Sequence, residues 1–204
     1  MNYETLISFA LATSALAISP GPDNIYVLVQ SITNGVKYGM ATVAGLISGC
    51  IVHTTLLAFG LSAIIKTNDH IYTALKIFGA AYLLYLAYKV FRSDSKISLS
   101  GDAPKKSMLQ LFKQGVIMNV LNPKVTIFFL AFFPGFLFSD SLSTEIQFYV
   151  LGFIFMLVSF VIFSGIAFAS GSISKFTSRN SGVNQFFKWL QIVVFVGIAV
   201  YILL

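Results

Sequence analysis

Apolar residues in this chain come in long runs rather than in alternation. Six stretches, roughly Thr5–Val29, Met40–Ile65, Ile71–Phe91, Gly115–Phe138, Ile146–Ala169 and Phe186–Leu204, are long enough to cross a bilayer. A crossing takes ~20 predominantly apolar residues at ~1.5 Å rise each. In hydrocarbon every backbone amide and carbonyl must be satisfied within protein, so these stretches predict helices. A β-barrel would alternate apolar and polar positions; runs such as Phe153-Ile154-Phe155-Met156-Leu157-Val158 do not. The pattern predicts an all-α integral membrane protein with six spans in one transmembrane domain, residues 1–204.

Composition agrees. The 204 residues are 57% hydrophobic and 10% charged, where a soluble domain carries about 25% charge. A soluble enzyme, a nucleic-acid-binding module and a disordered chain are excluded, and the lipid bilayer becomes the first partner. The net charge of +6 then reports loop orientation rather than an anionic partner. Cys50 is the sole cysteine, so no disulfide, redox pair or thiolate metal cluster is available, and it reads as a packed, inert thiol. Met1-Asn2-Tyr3-Glu4 lacks the positive n-region of a signal peptide, so the first span is expected to be retained.

The connections are unequally charged. Lys37 follows span one; Lys89, Arg92, Lys96, Lys105, Lys106 and Lys113 flank the connection after span three; Lys175, Arg179 and Lys188 flank the one after span five. The other two connections carry Lys66, Asp69 and His70, and Asp140 and Glu145. The basic side is expected to be cytoplasmic, which puts both termini outside. Lys76, in the outer turn of span three, reads as a snorkelling side chain. The long polar connection Arg92–Gln114 splits the chain into repeat one, about 1–91, and repeat two, about 115–204. Each holds three spans, so the second enters from the opposite face, the condition for an inverted repeat.

Both repeats begin with a span that cannot be a regular helix. Span one contains Ser19-Pro20-Gly21-Pro22-Asp23-Asn24, and span four contains Asn119-Val120-Leu121-Asn122-Pro123-Lys124. An interior proline removes an amide donor and clashes with the preceding turn, at a cost of ~3 kcal/mol. In lipid such backbone is tolerated only inside a bundle or beside a wet cavity. Pro20, Gly21, Pro22 and Pro123 are therefore the expected breaks. Interrupted helices in matching positions of two halves point to a substrate site.

Asp23 and Lys124 are too costly to face lipid. They are expected to read a zwitterion, with Asp23 on an ammonium and Lys124 with helix-end amides on a carboxylate; Gly21, Asn24, Asn119 and Asn122 complete the site. A permanent structural ion pair is the alternative. His53, halfway along span two, either shares a proton with Asp23 or bonds to neighbouring backbone. No metal-ligand spacing accompanies these residues and no cofactor is called for. Gly45 and Gly49 make a small-residue face for packing inside the bundle, with a homodimer contact as the alternative. The 21 phenylalanines read as core or lipid-facing.

These residues together resemble the lysine exporter/homoserine–threonine resistance family of bacterial amino-acid exporters (LysE/RhtB type). The likeness rests on Ser19-Pro20-Gly21-Pro22-Asp23-Asn24, Gly35, Gly39, Gly45, Gly49, Asn119, Asn122-Pro123-Lys124 and Phe132-Phe133-Pro134, and spans essentially the whole chain. The family's pattern often continues with glutamine where this chain has Gly135. The resemblance implies an inner-membrane carrier that expels amino acids or close derivatives in exchange for protons. Its competitors are a passive channel, which would need a continuous polar lining, and a membrane enzyme or electron carrier, for which no constellation is visible. A heavy-metal exporter would need more His, Cys or acidic residues within the spans.

Overall fold

A computed structural model describes residues 2–62, 69–93, 106–173 and 181–204. Lys66, Lys96, Lys105, Lys175, Arg179, the side chain of Asp69 and much of the predicted loop Arg92–Gln114 lie outside the described residues. The described chain is all-helical: α1 (Tyr3–Ile18), α2 (Pro22–Asn34), α3 (Val36–Leu56), α4 (Asp69–Arg92), α5 (Met108–Val120), α6 (Pro123–Ile127), α7 (Thr144–Phe168) and α8 (Ser181–Leu203). Wider turns extend α3 through Leu61, and α6 continues through Phe136 in wide and then tight turns. Four helices are long and apolar enough to cross a membrane. The pairs α1–α2 and α5–α6 pass only when joined, bent by 59° and 48°, which brings the number of spans to as many as six.

Local sequence sets the helix limits. Asn2 caps α1 by accepting from the Glu4 and Thr5 amides, and Gly35, alone among the described residues, has positive φ, 101°, where the chain turns from α2 into α3. α5 starts seven residues earlier than hydropathy places span four. Ser107 and Gln110 form a reciprocal capping box there, so amphipathic residues that read as loop begin a helix.

The helix ends sort by charge. The Asn2 amide donates to the Phe138 carbonyl at 2.9 Å, and Ser62 Oγ donates to Glu145 at 3.0 Å, which brings the N-terminus and the less basic connections to one end. Lys188 Nζ donates to the Ser93 carbonyl at 2.7 Å, joining two basic connections.

Two kinds of packing hold the bundle. Gly45 of α3 and Gly115 of α5 let backbones touch: a methyl group on Gly45 would strike the Phe112 carbonyl, and one on Gly49 would lie 2.7 Å from Asn119 Oδ1. The Gly45/Gly49 face is thus taken up within the chain by α5. Elsewhere Phe128, Phe129, Phe132, Phe133 and Phe136 of the α6 segment interlock with Phe9 and Phe155, with ring centroids 4.1–6.3 Å apart. All seven are buried.

Gly45→Ala should overpack the α3–α5 crossing at a cost of about 1–3 kcal/mol. Thermal unfolding in detergent should fall by several degrees. Gly197→Ala, which has open space around it, should not lower it.

Candidate functional site

The site forms where the two bends meet. A regular helix bonds each carbonyl to the amide four residues on. The partner of Leu16 would be Pro20, which has no N–H, and Ser19 falls in the unwound segment. Lys124 Nζ donates to both carbonyls, at 2.9 Å each. Asn24 Nδ2 donates to Ala17 at 2.6 Å, so a third carbonyl at the end of α1 is satisfied by a side chain. The second break follows the same rule. The partner of Asn119 would be Pro123; its carbonyl accepts instead from the Asn122 amide at 3.1 Å, and His53 Nε2 lies 3.1 Å from the same oxygen. As the acceptor is a carbonyl, that nitrogen carries the proton.

Each break thus borrows donors from elsewhere in the bundle, and the borrowing is reciprocal. Lys124, at the start of α6, holds the end of α1. Asn122 accepts from the Lys124 amide at 3.0 Å, capping α6. Its Nδ2 donates to Asp23 Oδ2 at 2.8 Å, which ties α6 to the first turn of α2. Asp23 sits where the positive end of α2 favours an anion, and the Lys124 ammonium sits at the negative end of α1.

All six residues expected to bind substrate meet here: Gly21, Asp23, Asn24, Asn119, Asn122 and Lys124 line one cavity. Asp23 is 4% exposed and Lys124 9%. They do not form the direct ion pair that opposite charges suggest, because each has a neutral partner. Two atoms decide what the cavity can do. Asp23 Oδ1 is buried with no hydrogen-bond partner, and Lys124 has a third N–H beyond the two it spends on carbonyls. Gly21 is extended (φ −161°); its bare Cα leaves room beside the ammonium, since a methyl group there would lie 3.6 Å from Lys124 Nζ. His53 has no hydrogen bond to Asp23 and lies against Phe129, centroids 5.2 Å apart. Its hydrogen bond is to backbone, at Asn119.

The rest of the cavity is apolar and was not singled out by sequence. Leu16, Cys50, Val125, Phe155 and Phe163 line it, with Ser159. Phe155, Ser159 and Phe163 are one turn apart on α7, a spacing visible in the sequence but silent inside so apolar a helix. Cys50 packs against Asn119, Sγ to Oδ1 3.7 Å. The cavity measures about 20 Å³ for the centre of a water-sized sphere, room for roughly one water. A larger solute needs the walls to part. Among the described residues no three His, Cys, Asp or Glu side chains come together.

Known proteins match this arrangement along its length. Residues 14–204 match the family model described as LysE type translocator. The chain belongs to the LysE family. Among its relatives, the homoserine/homoserine lactone efflux protein of Salmonella typhimurium is 31% identical over 167 residues, covering 82% of this chain and 81% of that protein. The leucine efflux protein of Salmonella choleraesuis is 26% identical over 202 residues, covering 98% of this chain and 93% of that protein. No solved structure matches significantly. This LysE-family chain is a multi-pass membrane protein of a family of translocators, and both bent pairs fall within the matched region.

Lys124→Met keeps the aliphatic stem but strands the Leu16 and Ser19 carbonyls. Leaving a buried polar group unpaired costs about 1–3 kcal/mol. The variant should unfold at a clearly lower temperature in detergent than the parent, and an unchanged melting curve would show that the strap is dispensable.

Proposed function

We propose that this protein exports amino acids from the cytoplasm by proton-coupled alternating access, with the cavity between the two breaks as its substrate site. One observation carries the reading: a buried carboxylate oxygen, Asp23 Oδ1, stands without a donor in a cavity that also holds an ammonium with an unused N–H. A substrate bearing an α-ammonium and an acyl oxygen supplies both missing partners. Homoserine, homoserine lactone and leucine, the compounds in the relatives' names, all carry that pair.

In this reading the α-ammonium bonds Asp23 Oδ1, and the acyl oxygen bonds Lys124 and the amides that open α2. Asn24, Asn119, Asn122 and Gly21 shape the site, and His53 holds the second break. Proton coupling rests on Asp23: protonation removes the charge that holds the ammonium and releases substrate outward. A proton moving inward contributes about 2.3 kcal/mol per 100 mV, which can drive a neutral zwitterion out.

The two bent pairs, each opening a three-span set, support an inverted repeat in one transmembrane domain, with the cytoplasmic connection near 92–114 between the halves. Rocking of the halves about the cavity would alternate access. The meeting of basic connections at one end and of the less basic ones at the other supports cytoplasmic basic loops and outward termini in a bacterial inner membrane. A passive facilitator is the competing reading. The small cavity, with apolar side chains over much of its wall, favours a carrier, because a channel needs a continuous polar path.

Inside-out vesicles carrying the protein should accumulate labelled homoserine or leucine when energised and release it on addition of a protonophore. Asp23→Asn should abolish accumulation while the protein still reaches the membrane. Accumulation that survives the protonophore would remove proton coupling, and accumulation by Asp23→Asn would remove Asp23 from the site.

A further inference from the structure

Hydroxyls in apolar helices ordinarily bond back to the carbonyl one turn earlier, and in this chain many do. Ser14 donates to Ala10 at 2.8 Å, Ser31 to Val27 at 2.7 Å and Thr54 to Cys50 at 2.8 Å. Ser159 does not. It is 1% exposed, and its Oγ has no hydrogen-bond partner. Thr13, Ser19, Tyr26 and Ser164 also have unpartnered hydroxyls, but none of those lines the cavity. Ser159 does, together with Asp23. One small chamber therefore holds two buried polar atoms lacking partners, a carboxylate oxygen and a hydroxyl, on different helices.

An unpartnered buried hydroxyl is costly unless something completes it. Its flanking side chains, Phe155 and Phe163, are apolar, and a ligand that enters the cavity would supply the missing partner. We propose that Ser159 determines specificity, by hydrogen-bonding a hydroxyl on the short, neutral side chain of the substrate while Asp23 holds its ammonium. The assignment rests on the amino-acid export reading and adds the side-chain class. A basic side chain would lack a second carboxylate, because Asp23 is the one acidic residue lining the cavity and is occupied by the α-ammonium. An acidic side chain would compete with the acyl oxygen for the one cation, Lys124. An aliphatic side chain would fit the phenylalanine walls yet leave Ser159 unpaired. A hydroxyl, which both donates and accepts, satisfies it.

Homoserine and 2-aminobutyrate share a carbon skeleton and differ by the terminal hydroxyl. Initial uptake of each into inside-out vesicles should show the parent protein favouring homoserine by about tenfold or more in kcat/KM, since a site built to bond a hydroxyl rejects the analogue without one. Ser159→Ala should bring the two rates together by slowing homoserine and leaving 2-aminobutyrate unchanged. If Ser159→Ala carries neither, the near-isosteric Ser159→Cys decides, and loss of the homoserine preference there supports the assignment. A preference that survives in either variant overturns it. A parent protein that carries both amino acids without discrimination also overturns it and leaves the export reading standing; one that carries neither brings down both.

Discussion

A proline in the lipid-buried part of a helix leaves the carbonyl four residues before it without its amide, and each of the two breaks in this chain poses that problem. Leu16 loses its partner to Pro20, and Asn119 loses its partner to Pro123. In water the solvent would close both gaps; in hydrocarbon they must be closed by protein. Lys124 bonds the first, and the Asn122 amide together with His53 the second. Much of what is distinctive in the interior follows from these two repairs, because they bring ionisable side chains to mid-bundle and fix where they point.

The repairs also explain why the charges do not pair. The Lys124 ammonium sits at the negative end of α1, bonded to two carbonyls, while Asp23 sits in the first turn of α2, bonded to Asn122. Each break is therefore tied to the other: Lys124 of the second half holds the first, and Asp23 of the first half engages the cap of the second. A ligand that took Asp23 and Lys124 at once would touch both ties. That is a route by which occupancy of one small cavity can bias how two halves of a bundle sit.

Hydropathy made the spans legible, and the prolines made the breaks legible, because both act through composition over a few neighbouring residues. The meeting of Asp23 with the Asn122-Pro123-Lys124 segment could be anticipated, since neither charge is tolerable against lipid. The partners of Lys124 could not, because a backbone carbonyl leaves no mark in the sequence. The alternative of a permanent ion pair weighed charge against charge and left the stranded carbonyls out. The α7 wall was invisible for another reason: one serine among phenylalanines is ordinary in a span, and only its unpartnered hydroxyl together with its place in the cavity wall sets Ser159 apart. The start of α5 was misplaced because its first turns are amphipathic and their helical signal is a cap, not hydropathy.

If the unpartnered oxygen of Asp23 is where a ligand's ammonium docks, affinity must depend on that ammonium more than on any other group. Thermal stabilisation of the purified protein by leucine, leucine methyl ester and N-acetylleucine isolates the dependence. Leucine and its ester should both raise the melting temperature, because each keeps an ammonium and an acyl oxygen, and N-acetylleucine should leave it unchanged. Stabilisation by N-acetylleucine equal to that by leucine would contradict the role of Asp23 and with it the site described between the two breaks.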